Sequence, residues 1–127
     1  MSTREIPRDD WPEFLDGFSL QHAGWLVTIE LLDPDLGAQT LAREMPLAGI
    51  SADLRGAGKD EITIIAGRAG EDHVTHGIVE PVRVFLLQNP EGADEALEIE
   101  APGDVRTIIQ FRSAVRPEMV DGILPER

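Results

Sequence analysis

Between Trp11 and Phe18 the large apolar residues Trp11, Phe14, Leu15 and Phe18 recur at i, i+3, i+4 and i+7, the stripe of a helix that buries one face. Asp9 and Asp10 precede Trp11 and Pro12, and proline fits a first helical turn because the N–H it lacks has no partner there. Asp10 and Glu13 stand at capping-box spacing, and Gly24 offers a stop. The pattern predicts a helix over about residues 10–22, mildly weakened by Gly17.

Beyond Gly24 the period shortens to two. In WLVTIELL, Trp25, Val27, Ile29 and Leu31 share one face of a strand, and Leu26, Thr28, Glu30 and Leu32 the other. Similar runs predict strands at about 24–32, 39–44, 47–54, 61–66, 73–79, 82–88, 96–100 and 105–112, with Pro46 separating the second from the third. Turn chemistry at DPDLG, RGAGKD, NPEGADE and APGD punctuates them, the last joining two alternating runs as a hairpin. No intervening helical segment is long enough for a parallel crossover. The tail 116–127, with two prolines, reads as a loosely packed extension. The expected architecture is mainly β: a single domain over 1–127, a small antiparallel barrel or sandwich of seven to eight short strands with the N-terminal helix packed against it, α+β being the alternative.

Composition narrows the function more than the fold. The 127 residues suffice for one domain that buries roughly two-thirds of its unfolded surface. Twenty-four acidic residues against eleven basic ones give a net charge of −13, spread over both halves of the chain. A nucleic-acid or anionic-lipid binder needs clustered cations to displace counterions, and none are clustered here. The sign suits solubility or a basic protein partner, with DNA mimicry as one form of the latter. Cysteine is absent, which removes disulfides, thiolate metal sites and a cysteine nucleophile. MSTREIPRDD has no apolar run of signal-peptide length and WLVTIELL is far short of a bilayer span, so a cytoplasmic protein is the expectation.

Candidate chemistry is sparse. Asp16, Ser19 and His22 are the residue types of a hydrolytic triad, but on one helix Asp16 and His22 lie about 9 Å apart along the axis with the serine between them. No catalytic residues and no cofactor are assigned. Glu71, Asp72, His73 and His76 form the one candidate metal set, although an odd spacing on a strand points the two imidazoles to opposite faces. Trp11, His22 and Trp25 are the candidate lining of a ligand pocket beside the helix; the competing expectation is that these rings close the core.

REIPRDDWPEF, continuing through FSLQHAGWLVTIE and PLAGI and later VRVFLLQ, ALEIE and PEMVDG, resembles a family of small bacterial proteins of unknown function. Arg4, Pro7, Trp11, Phe18, His22, Gly24 and Trp25 carry the resemblance, which implies a stand-alone domain and brings no activity, cofactor or site with it. The leading expectation is a non-enzymatic interaction or accessory module with a protein partner, or one that self-associates through an exposed sheet edge. A small-molecule or metal-binding protein using its histidines, and an acidic mimic that occupies a basic groove, are the alternatives.

Overall fold

The computed structural model describes residues 2–56, 58–68 and 73–112. The helical stripe is realised as α1, Trp11–Gln21, entered from a 3-10 turn at Arg8–Asp10. Around it are β1 (Ser2–Ile6), β2 (Leu26–Asp33), β3 (Gly37–Asp53), β4 (Glu61–Gly67), β5 (His73–Val79), β6 (Arg83–Gln88), β7 (Asp94–Ala101) and β8 (Val105–Arg112). All eight belong to one antiparallel sheet in the order β1-β6-β7-β8-β2-β3-β4-β5. The mainly β expectation is met, but the sheet does not close into a barrel; β1 and β5 stand at its ends. No helix among the described residues is long and apolar enough to cross a membrane.

Period-two patterning sets the inner face. Val27 and Ile29, Ile62, Ile64 and Ala66, Val84 and Leu86, Leu97 and Ile99, and Thr107 and Ile109 alternate with more exposed neighbours and are buried. The sheet curls far enough for His76 on β5, at one end, to meet Thr107 on β8, in the middle of the strand order, Nε2 to Oγ1 at 3.2 Å, so the β5 end folds back over the centre of the sheet. Trp11, Leu15 and Phe18 fill that core from the helix, each such burial contributing about 1.5–3 kcal/mol or more.

Several elements differ from the sequence expectation. Ser2–Ile6 is a strand, paired residue by residue with β6, although only Ile6 in it is buried and its local pattern is polar. The segments expected at 39–44 and 47–54 are one 17-residue strand that changes neighbours where Pro46 sits, pairing with β2 up to Pro46 and with β4 from Leu47. Proline is tolerated at such a handover because no continuous ladder needs its N–H. Register shifts opposite Thr28 and beside Ile29 bend this stretch, and Glu44 takes φ 51° there. The Asp10–Glu13 capping box does not form: Asp10 is already helical at φ −92° and ψ −8°, and its side chain makes no capping bond. The tail 116–127 lies outside the described residues.

The handover at Pro46 leaves the second half of β3 without β2 on that edge, and α1 takes its place. Ser19 Oγ accepts the Ile50 N–H at 2.8 Å, and its single proton is within reach of the Ile50 and Leu15 carbonyls at 2.8 and 2.7 Å. A hydroxyl with both roles thus satisfies backbone groups that a strand would otherwise pair.

Asp60 fastens the β3–β4 turn to the start of the chain. Its Oδ1 accepts the N–H groups of Arg55 and Gly56 at 2.7 and 2.6 Å, and Oδ2 accepts from Arg8 Nε at 3.0 Å and from Arg8 Nη2. The Gly56 N–H, and after it Arg8, hold its carboxyl below its ordinary value of 3.8. A carboxyl depressed by folding stabilises the native state above its unfolded pKa, and that contribution is lost as the pH falls through the folded value. Asp60→Asn is expected to melt below the parent at pH 7, with the gap narrowing below about pH 4 as the parent's carboxyl protonates. Melting curves at pH 7 and pH 3 check this; a gap that is the same at both would mean the charge contributes nothing.

Candidate functional site

Of the three residues expected to line a pocket, His22 and Trp25 meet and Trp11 stands apart. Trp11 and His22 stand at opposite ends of α1, about 16 Å apart along its axis. Trp11 is 1 % exposed, and its Nε1 donates to the Ile6 carbonyl at 2.8 Å. His22, at the C-terminal end, is brought to Trp25: its ring lies 4.5 Å from Trp25 edge-on, 4.0 Å from Phe18 in a stack and 5.3 Å from Phe111. Nδ1–H donates to the Phe18 carbonyl at 2.8 Å, which also accepts the His22 backbone N–H at 3.0 Å, while Nε2 faces Asp94 Oδ2 at 3.1 Å. This cluster joins the helix end to β7 and is filled by its own rings. Asp94, 72 residues from His22, has no local sequence signal that marks it as the partner.

Of the candidate metal set, Glu71 and Asp72 lie outside the described residues. His73 and His76 fall on opposite faces of β5, as their odd spacing requires: His76 pairs with buried Ile64 and points inward, and His73 is exposed. Among the described residues no group of three or more His, Cys, Asp or Glu is placed to hold a metal ion. Burial pushes the His76 imidazole below its ordinary value of 6.5.

The β5 end of the sheet is chemically different from the rest of a chain with net charge −13. Val74–Val79 carries no Asp, Glu, Lys or Arg. Its ladder with β4 runs without a bulge over seven pairs, and among the described residues no strand lies on its other side. The devices that commonly blunt an edge are charges, prolines and bulges, and this stretch has none of them. At the opposite end β1 presents Arg4 and Glu5. The open stretch of β3 before Pro46 is bulged and carries Arg43 and Glu44.

The backbone direction along β5 follows from one bond. Glu80 N–H donates to the Asp60 carbonyl at 2.8 Å, and antiparallel alternation from there turns Val74, His76 and Ile78 toward β4 and the N–H and C=O groups of Thr75, Gly77 and Val79 outward. The outer face beside them is also uncharged over Ala48, Ser51, Thr63, Ile65 and Thr75, and meets a shallow groove under α1 where Leu20 is 82 % exposed. Glu61 closes one end of this face, its carboxylate lying over Gly77, where a Cβ would come within 2.5 Å of Oε2. The run HVTHGIV was visible in the sequence as a strand, but alternation alone does not say which strand ends a sheet.

The family model described as "Family of unknown function (DUF5335)" matches residues 2–119. An uncharacterized protein of Aquifex aeolicus (strain VF5) is 26 % identical over 115 residues, covering 91 % of this chain and 96 % of that protein. No solved structure matches the chain.

Proposed function

We propose that this chain, which belongs to the DUF5335 family of unknown function, is a non-enzymatic interaction module that takes an extended protein segment as a further strand along β5. The observation that carries the reading is the uncharged, unbulged outer edge of Val74–Val79 in a molecule of net charge −13. Strand addition draws its affinity from main-chain hydrogen bonds and its specificity from side chains on alternate positions. Thr75 and Gly77 supply the first, and the Ile65–Thr75 face beside them the second.

The test is a photo-crosslinking amino acid placed in cells at Val79, which is 61 % exposed beside the edge, and separately at Thr3 on β1. Covalent adducts to protein are expected from position 79 and not from position 3. They are expected to disappear in Thr75→Pro, which deletes one outward N–H while leaving the β4 ladder its own donors. Adducts that survive Thr75→Pro, or that form equally from Thr3, would remove β5 as the binding edge.

A further inference from the structure

We infer that the strand received by β5 is the β5 of a second copy of this chain, antiparallel and centred on His76, so that the sheet continues across a two-fold axis. This rests on the reading of β5 as the binding edge and adds the identity and register of the partner. Because the outward groups belong to odd-numbered residues, a symmetric antiparallel partner must set odd against odd. Centring on His76 does so with the full overlap of the strand: Thr75 then exchanges hydrogen bonds with Gly77 of the other copy, and Gly77 with Thr75. Centring one residue to either side shortens the overlap.

The side chains agree with that register. On the inner face Val74 comes opposite Ile78 of the other copy and His76 opposite His76. Val74 and His76 are only half-buried in one chain, whereas Ile78 is buried, so the added strand extends the core where it is thin. On the outer face Thr75 comes opposite Gly77, which has no side chain to clash, and beside the Glu61 carboxylate that can accept its hydroxyl. Charge points the same way. Two copies at −13 repel, so they approach best where acids are few: from Val74 to Val79 none is present, and the Glu61 carboxylate that lies over Gly77 is met by the Thr75 hydroxyl of the other copy. Added salt screens that repulsion and is expected to strengthen the dimer, the opposite of capturing a cationic partner.

The natural chain has no cysteine, so single cysteines report the register. At the non-hydrogen-bonded centre of an antiparallel pair the Cα atoms are about 4.5 Å apart, within disulfide range. His76→Cys is expected to give a covalent dimer under mild oxidation, and Thr75→Cys, whose counterpart lies two residues away, is not. Light scattering of the parent is expected to give twice the 13.9 kDa of one chain, falling to one chain in Val79→Lys and in Thr75→Pro with circular dichroism unchanged. A parent that stays monomeric at high concentration and high salt, or equal cross-linking of both cysteines, overturns the inference. If protein adducts at position 79 persist beside a monomeric parent, the partner is another protein and strand addition stands; if both are absent, both readings fall.

Discussion

Trp11→Ala is expected to lower the free energy of unfolding by about 3–5 kcal/mol, the usual cost of removing a fully buried large aromatic ring. Two losses combine. The indole fills the core at the start of α1, 1 % exposed, against a sheet too rigid to collapse into the space. Its Nε1–H also satisfies the carbonyl of Ile6, itself 2 % exposed, so alanine leaves a buried acceptor without its donor. Trp11→Phe separates the two: most of the ring stays, the donor goes, and a cost of about 1–3 kcal/mol is expected. For a domain whose whole stability is of order 5–15 kcal/mol, the alanine variant stands near the edge of folding. Denaturant titrations of the three proteins with a common m-value measure both differences. A cost for Trp11→Ala below about 1 kcal/mol would place the ring outside the core.

The same residue marks where local pattern suffices. The stripe Trp11, Phe14, Leu15 and Phe18 predicted α1 because a helix must bury one face, and Trp11, Leu15 and Phe18 are the buried residues of that helix. Gly24 at φ 84° and the Pro102–Gly103–Asp104 turn, with Gly103 at φ 79°, were equally legible, since few other residues accept that backbone. The strands at 61–66, 73–79 and 105–112 were read within a residue for the same reason. What escaped was set by partners distant in sequence. STREI becomes a strand because β6 offers it a ladder, Pro46 is carried inside a strand because the neighbours change there, and whether a sheet closes depends on which edges meet. In the sequence Asp60 is only the last residue of the turn RGAGKD, and only folding brings Arg8 to it across 52 residues. At the candidate site the residues of the β5 edge were readable as uncharged, but their place at the end of the sheet was not.

The largest effect from a polar group is expected at the pair formed by His22 and Asp94. Asp94 carries 19 % side-chain exposure and His22 only 4 %, so the contact at 3.1 Å is largely shielded from water. Both partners are held on their other sides: His22 by the Phe18 carbonyl and the Phe18 ring, Asp94 by Gln88, whose Nε2 donates to Oδ1 at 2.8 Å. Removing either side chain leaves the other without its hydrogen-bond partner, and His22→Ala, which also empties the place of a buried ring, is expected to cost about 3–5 kcal/mol, Asp94→Ala somewhat less because water reaches it. The surface pair of Arg55 and Asp53, with both side chains more than half exposed, sets the contrast, since breaking it is expected to cost under about 1 kcal/mol. A double-mutant cycle separates the pairing from the lost packing of the imidazole among Phe18, Trp25 and Phe111. If the His22–Asp94 contact locks the helix end to β7, the double alanine variant falls short of the sum of the singles by about 1–3 kcal/mol. If the two costs add to within about 0.5 kcal/mol, His22 stabilises the fold through its ring alone and Asp94 is a bystander.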